Sequence, residues 1–145
     1  MNKNIALLLL TFLLFGCRRV IDFDFDDHTQ SFYINNGYFY DICFENDSVT
    51  INGTSYEGAL LLTWKDSLRV PPTKVYLSYI PKGYIVSRGG ITSSERKIKL
   101  KPNSIYTISS TGLGAAECRL KVWTNRHGRI IKTIKLQQPR EPLEE

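Results

Sequence analysis

The chain has 145 residues, of which 42% are hydrophobic and 12% aromatic, and a formal net charge of +5. This composition excludes a disordered chain, and the length fits one domain with its own core rather than two. The charge is uneven: residues 18–60 carry eight acidic and two basic residues, whereas residues 61–145 carry six acidic and sixteen basic ones. Such asymmetry is typical of a basic binding surface, although basic residues also fill the solvent-facing side of ordinary strands.

The first sixteen residues have the pattern of a cleaved secretion signal. Lys3 gives a positive start, and the apolar run from Ile5 to Phe15 is too short to cross a bilayer as a helix. Residues 14–17, Leu-Phe-Gly-Cys, resemble the lipobox of bacterial lipoproteins. That resemblance implies cleavage before Cys17 and attachment of lipid chains to it. The alternative is an ordinary secretory signal with an incidental cysteine.

The residues after Cys17 suggest an address in the cell envelope. Inner-membrane retention in many Gram-negative bacteria resembles a rule with Asp directly after the cysteine, and Arg18 does not fit it. We therefore expect a lipid-anchored protein of the outer membrane. Surface lipoproteins of Bacteroidota often carry acidic residues directly after the cysteine, whereas here the acids start at Asp22. This favours the periplasmic face over the cell surface.

The part after the signal is predicted to be a single domain. Residues 17–30 are interpreted as a lipidated cysteine and an acidic tether, residues 31–138 as a β-sandwich, and residues 139–145 as a polar tail. Within the tether, Asp22–Asp27 alternates acidic and aromatic side chains. The same alternation fits an edge strand whose charges discourage further pairing.

Short apolar segments separated by turn signals, with no helical period, predict an all-β antiparallel sandwich. Asn35-Asn36-Gly37 predicts a hairpin between Phe32–Ile34 and Tyr38–Phe44. In the second of these strands, alternation places Tyr38, Tyr40, Ile42 and Phe44 on one face. Ala59–Trp64 is apolar on both faces at first, which predicts a central strand. The other predicted strands are Ser48–Ile51, Val75–Ile80, Tyr84–Ser87, Lys97–Lys101, Ile105–Ser109, a strand from about 117 to 124, and Ile130–Leu136. Asn125–Gly128 is predicted to form the turn before the last strand.

A stretch in the middle of the chain resembles fibronectin type III domains. Leu100–Ile108 is similar to the end of strand E and the start of strand F in that family, and Leu60–Trp64 and Val75–Tyr79 resemble strands B and C. The resemblance implies an immunoglobulin-like sandwich in which the Tyr106 hydroxyl bonds back to nearby backbone as a tyrosine corner. Because glycines interrupt the chain after this strand, an alternative is that residues 117–124 form the true penultimate strand.

Two cysteines, Cys43 and Cys118, remain after Cys17. An oxidising envelope compartment would allow a disulfide between them. Both lie at apolar strand positions, so two buried thiols are an equally good interpretation.

Alternation on two predicted strands places basic and aromatic side chains outward. If the two strands share a sheet, they form a cationic face with an exposed indole, suited to an anionic glycan, lipopolysaccharide or an acidic protein. The alternative is an ordinary solvent-facing surface. The residues of this predicted face are Lys97, Lys99, Lys101, Arg119, Lys121 and Trp123.

No catalytic or metal-binding pattern is present in the sequence. His28 and His127 are the only histidines, without ligand spacing, and there is no Gly-x-Ser-x-Gly motif. We therefore expect neither an enzyme nor a metal or cofactor, and nucleic acid is not expected as a partner of a secreted lipoprotein. Asp47-Ser48-Val49 and Asp66-Ser67-Leu68 resemble the glycosylation acceptor of Bacteroidota envelope proteins, which implies modification at Ser48 and Ser67.

These observations favour a lipid-anchored, non-catalytic binding or structural protein of the cell envelope. Its partners would be the membrane, through the lipid anchor, and an anionic envelope component or a protein. The alternative is a periplasmic immunity-type inhibitor of a secreted toxin.

Overall fold

The computed structural model describes residues 21–48, 58–110 and 118–136. Within these ranges every regular element is a strand. Turns punctuate the strands where glycine and asparagine allow a positive φ, as at Gly37 and Asn103. The strands are β1 (Phe23–Asp26), β2 (Ser31–Ile34), β3 (Asp41–Asn46), β4 (Leu60–Trp64), β5 (Lys74–Tyr76), β6 (Tyr84–Arg88), β7 (Ile91–Ser93), β8 (Ile105–Ser110), β9 (Cys118–Thr124) and β10 (Ile130–Leu136).

The strands form two sheets in which every pairing is antiparallel. The small sheet has the order β1-β2-β5, and the large sheet has the order β10-β9-β8-β3-β4-β6-β7. The two sheets pack face to face, which confirms the predicted all-β sandwich. The predicted central position of β4 is also confirmed, because β4 lies between β3 and β6.

Aromatic rings join the two sheets at the core. Phe32 of the small sheet meets Phe44 of the large sheet edge to face, with ring centroids 5.7 Å apart, and Phe23 meets Phe39 in the same way. Such edge-to-face pairs contribute about 0.5–1.5 kcal/mol beyond the area they bury. Most of the remaining core comes from alternate positions of the large sheet, namely Ile42, Leu60, Leu62, Tyr84, Val86, Tyr106, Ile108, Leu120 and Val122. The small sheet adds Ile34 and Val75, and residues outside the strands, such as Ile80 and Ile98, complete it.

The antiparallel strands give the sandwich two ends, which we call the leading end and the far end. The leading end is where β1 begins: Phe23 pairs with Ile34, the last residue of β2, and the Ile34 amide donates to the carbonyl of Thr73. The far end holds the turn between β1 and β2 and the turn between β9 and β10. The Gln30 side chain joins these two turns by accepting from the Ile130 amide at 3.0 Å and donating to the Ile130 carbonyl at 3.1 Å.

The predicted hairpin around Asn35-Asn36-Gly37 is wrong. β2 pairs with β1 and β5, whereas β3 pairs with β4 and β8, so this turn carries the chain from one sheet to the other. The physical reason lies in Phe39, which is fully buried and reverses the alternation expected across this segment. Tyr38 is exposed instead of sharing an inward face with Ile42.

The interpretation of residues 17–30 as a tether is wrong for residues 21–30, and its edge-strand alternative is correct. β1 is an edge strand of the small sheet, and Phe23 is fully buried. Asp24 and Asp26 lie on its outer side, which leaves the aromatic side chains for the core. The domain therefore includes Ile21 and does not start at Ser31. Residues 17–20, Cys17 among them, lie outside the described residues.

Three predicted strands differ from the structure. Lys97–Lys101 forms no strand, Val75–Ile80 is reduced to the three residues of β5, and Ser48 follows β3 without extending it. The remainder of the predicted strand Ser48–Ile51 lies outside the described residues. β7 was not predicted, because its three residues are too few to show a period.

The sheet order does not confirm an immunoglobulin or fibronectin type III identity. In that architecture strands B and F lie in opposite sheets and strand C lies beside strand F. Here β4 and β8, the segments that resemble strands B and F, lie in the same sheet. β5, the segment that resembles strand C, lies in the other sheet. What is established is an antiparallel sandwich with a different strand order.

Candidate functional site

Alternation along β9 turns the predicted basic and aromatic residues outward. Leu120 and Val122 are fully buried, whereas Arg119 is exposed and Lys121 and Trp123 are half-buried on the opposite side. The outward positions predicted for β9 are therefore correct. This alternation follows from the two-residue repeat of a strand.

The charge on this outer face is partly neutralised. Lys121 lies 3.5 Å from the Asp47 carboxylate, and Glu45 sits opposite Thr107, the cross-strand neighbour of Lys121. On the other side of β9, the Lys132 ammonium lies 4.7 Å from the centre of the Trp123 ring. The indole is therefore stacked under a cation rather than open, and the face is mixed in charge rather than purely cationic.

The three lysines of residues 97–101 do not share a sheet with β9, which corrects the idea of one continuous face. Their segment runs along the flank of the sandwich. It turns Ile98 into the core, where the Ile98 amide donates to the Leu77 carbonyl at 2.7 Å. The lysines on either side of Ile98 and Leu100 are exposed, as their alternation predicts.

The lysine segment instead meets the turn between β9 and β10 at the far end. The Asn103 amide donates to the Asn125 carbonyl at 3.0 Å, and the Thr124 hydroxyl donates to the Lys101 carbonyl at 2.7 Å. A side-chain carbon on Gly128 would lie only 2.6 Å from the Leu100 carbonyl oxygen. These contacts place two basic segments side by side.

We call the exposed cations Lys99, Lys101, Arg126 and Arg129 the basic corner. No acidic side chain among the described residues forms an ion pair with any of these four cations. Arg129 donates to the carbonyl of Asp27 at 3.3 Å, and Arg126 donates to the His127 ring nitrogen at 3.0 Å. Lys97 continues the basic segment along the flank.

The backbone around the basic corner is held by side-chain hydrogen bonds. The Asn125 side-chain oxygen accepts from the amides of His127 and Arg129, which closes the predicted turn. The Tyr106 hydroxyl accepts from the Lys101 amide at 2.8 Å. Tyr106 thus makes the backbone contact expected of a tyrosine corner. The alternative is also correct in part, because Cys118–Thr124 is the penultimate strand.

The structure excludes a disulfide between Cys43 and Cys118. Neither forms a disulfide, and both are half-buried. Cys43 lies on the outer side of β3, whereas Cys118 follows the inward set of β9, with β8 between the two strands. Burial raises the pKa of the Cys118 thiol, as do the nearby carboxylates of Asp22 and Asp24, which makes it a weak nucleophile.

The two predicted glycosylation positions are exposed at opposite ends of the molecule. Ser48 follows β3 at the far end, and Ser67 lies in the loop after β4 at the leading end. Both follow an exposed or half-buried aspartate. A glycan at either position would project from the surface.

A second surface, at the leading end, is missing from the predictions. The Trp64 indole donates to the carbonyls of Asp66 and Arg69 at 2.8 and 3.0 Å, and it packs edge to face on Tyr84. Burial, together with the Asp41 carboxylate, raises the pKa of Tyr84 far above its usual range, so its hydroxyl stays a donor to the Phe39 carbonyl.

The loop clasped by Trp64 presents apolar side chains to solvent. Leu68 is 94% exposed and Val70 is 64% exposed. Two open clefts of about 550 and 480 Å³ flank the indole, and Lys65, Asp66 and Arg69 line both. The signal in the sequence that could have indicated this surface is the pair Leu68 and Val70, two aliphatic residues in an otherwise polar stretch that ends at Pro71.

Comparison with known proteins identifies no relative: no protein family, no curated protein and no solved structure matches the chain. Within the described residues, no group of three or more His, Cys, Asp or Glu side chains is placed to hold a metal ion. Those residues also contain no helix with the length and hydropathy needed to span a bilayer.

Proposed function

We propose that this protein is a lipid-anchored, non-catalytic module of the cell envelope that binds an anionic partner through the basic corner. The observation that supports the proposal is four exposed cations on two hydrogen-bonded segments, with no ion pair to a described acidic residue. Exposed cations that are not engaged in ion pairs with described residues are available to an external anion.

The shape of the basic corner favours an extended anion over a small molecule. Its cations lie on a convex turn and a flanking segment, where a small ligand would remain mostly in water. A polymer with repeated negative groups contacts several such cations at once, so modest individual contributions combine into useful affinity. An anionic glycan fits this description, as does an acidic protein surface.

The position of the basic corner also supports a partner other than the anchoring membrane. β9 has seven residues, which at about 3.3 Å per residue separates the two ends of the sandwich by roughly 20 Å. The chain from Cys17 joins the domain at the leading end, where β1 begins. A lipid anchor there would direct the basic corner away from the membrane that holds it, towards the interior of the periplasm.

The direct test compares two matched double variants of the full chain. Lys101→Ala with Arg126→Ala removes two charges from the basic corner, and Lys65→Ala with Lys82→Ala removes two from the leading end. Retention on a dextran sulfate matrix should fall about tenfold for the first pair only, since each exposed charge contributes up to about 1 kcal/mol. Equal losses of retention for the two pairs would contradict the proposal that the basic corner is the specific anion-binding surface.

The identity of the partner needs a second experiment. The acylated protein is used to capture partners from solubilised envelopes, and the capture is washed at low and at high salt. Glycan released by salt supports the proposed anionic partner, because screening weakens exposed charge contacts. A single protein retained at high salt favours the immunity-type inhibitor instead. Mass spectrometry of the parent chain and of Cys17→Ala tests the lipid anchor independently.

A further inference from the structure

We infer that the loop of residues 65–70 at the leading end docks against the lipid bilayer that holds the proposed Cys17 anchor. This inference rests on the lipid anchor of the proposed function and adds a second, non-covalent contact with the same membrane. The observation that supports the inference is the exposure of Leu68 and Val70 at the end of the sandwich where the chain from Cys17 joins the domain.

The length of the chain limits how far the leading end can lie from the proposed anchor. Cys17 precedes Phe23 by six residues, so a fully extended chain carries the start of β1 at most about 20 Å from the anchored cysteine. Phe23 pairs with Ile34, whose amide donates to the Thr73 carbonyl, and the neighbouring Phe39 amide donates to the Pro72 carbonyl. The loop that ends at Val70 therefore lies on the side of the domain nearest the anchor.

The chemistry of the loop fits a lipid surface better than water. Leu68 and Val70 project from a loop whose backbone carbonyls accept hydrogen bonds from the Trp64 indole. Because the loop is already ordered in the folded domain, docking loses little further conformational entropy. Apolar side chains inserted at the headgroup boundary remove surface from water, and adjacent cations favour anionic lipids. Lys65, Arg69 and Lys82 supply positive charge here. Among the described residues that line the larger cleft, Asp66 is the one carboxylate, and it pairs with Arg69 at 3.7 Å.

Among the described residues, the two other aliphatic side chains that are more than 60% exposed do not lie together. Ile91 and Ile131 are 76% and 63% exposed, but they lie on β7 and β10, at opposite edges of the large sheet. Both also belong to the far end, since β7 begins and β10 begins there. They serve as matched controls because they are about as exposed as Leu68 and Val70 but lie at the end opposite the proposed membrane contact.

The fluorescence of the two tryptophans can report which end of the domain lies close to the bilayer, because Trp64 lies at the leading end and Trp123 near the far end. Acylated full chains carrying either Trp123→Phe or Trp64→Phe are reconstituted into vesicles of phosphatidylethanolamine, phosphatidylglycerol and phosphatidylcholine with brominated chains. Bromine quenches only nearby indoles. We expect emission from Trp64 to fall about twofold and emission from Trp123 to stay within a tenth of its value without bromine, since docking loops sit at the headgroup boundary.

The loop itself is tested in the Trp123→Phe background. Leu68→Asp with Val70→Asp should abolish most of the Trp64 quenching, whereas Ile91→Asp with Ile131→Asp should leave it unchanged. Circular dichroism checks that each variant is folded. If Trp64→Phe does not fold, the comparison between the two aspartate pairs still decides the matter.

The outcomes separate the two claims. An acylated protein in which Trp64 is not quenched, or in which both aspartate pairs act alike, overturns the docking inference and leaves the anchor standing. A protein that carries no lipid by mass spectrometry overturns the anchor, and the inference with it. Quenching of Trp64 that only the Leu68 and Val70 substitutions remove supports both.

Discussion

The two ends of this sandwich are built differently. At the leading end a side chain does the organising: the Trp64 indole binds two loop carbonyls, and aliphatic residues are left in solvent. At the far end the polar side chains of Asn125, Gln30 and Tyr106 hold the turns by accepting hydrogen bonds from backbone amides, and cations are left in solvent. The comparison teaches that one small core can support two surfaces of opposite chemistry, because the exposed aliphatic and basic side chains of those surfaces are not the side chains that hold the sheets together.

The largest expected effect is at the far end, in Gly128→Ala. Gly128 has a φ of 75°, and an added Cβ would lie 2.6 Å from the Leu100 carbonyl oxygen. Backbone strain and the clash together should lower the free energy of unfolding by about 3 kcal/mol. Chemical denaturation measures it.

Gly90→Ala is the matched control for this variant. Gly90 has a similar φ of 80°, but nothing lies within 4 Å of the added carbon. Gly90→Ala should lower the free energy of unfolding by about 1 kcal/mol, which is the contribution of backbone strain without a clash. Equal losses for the two glycines would mean that Leu100 moves aside, and that the basic corner is not rigid.

The next effect is at the leading end, in Gly83→Ala. An added Cβ there would lie 2.3 Å from the Trp64 ring, which its two hydrogen bonds hold in place. Overpacking of this kind should cost about 2 kcal/mol in unfolding free energy. The same substitution in a Trp64→Phe background should cost less, because the smaller ring leaves room. Additive costs in that double-mutant cycle would contradict the proposed contact.

A smaller effect is expected from Tyr106→Phe. The change removes only the hydroxyl that accepts from the Lys101 amide, so the unfolding free energy should fall by about 1 kcal/mol. Retention on dextran sulfate should also weaken, since Lys101 belongs to the basic corner. The control is Tyr33→Phe, a half-buried tyrosine whose hydroxyl bonds to no described residue. A larger loss in the control would exclude a special role for the Tyr106 bond.

The sequence was informative wherever a local period decided the outcome. Strand alternation correctly placed Arg119 and Lys121 outside and Leu120 inside, and the asparagine and glycine of residues 125–128 correctly marked a turn. Alternation alone did not decide between a disulfide and two thiols. Cys43 lies on the outer side of β3 and Cys118 on the inner side of β9, but only the structure shows that these strands share a sheet with β8 between them.

Sheet membership was not available from local patterns. Asn35-Asn36-Gly37 has hairpin chemistry, yet the burial of Phe39 against Phe23 sends β3 into the other sheet. The meeting of the lysine segment with the β9–β10 turn likewise depends on contacts between residues far apart in the chain. Non-local pairings of this kind are set by the whole core, and no window of sequence carries them.

The smallest expected effect is a pH-dependent loss of stability on substitution of Asp26, which lies at the far end. The Thr29 hydroxyl, the amides of Thr29 and His28, and Lys74 all bond the Asp26 carboxylate, and they lower its pKa from 3.8 to about 2. The folded state therefore binds fewer protons than the unfolded state between these values, so this contribution to stability is complete above about pH 4 and is lost as the pH falls towards about 2. Asp26→Asn should lower the Tm at pH 6, and the gap from the parent should close at low pH. Asp27→Asn, which removes a neighbouring carboxylate that accepts none of these bonds, should leave the Tm close to that of the parent. A gap for Asp26→Asn that stays constant with pH would show that the amide accepts the same bonds as well as the carboxylate does, and that charge contributes nothing to this turn.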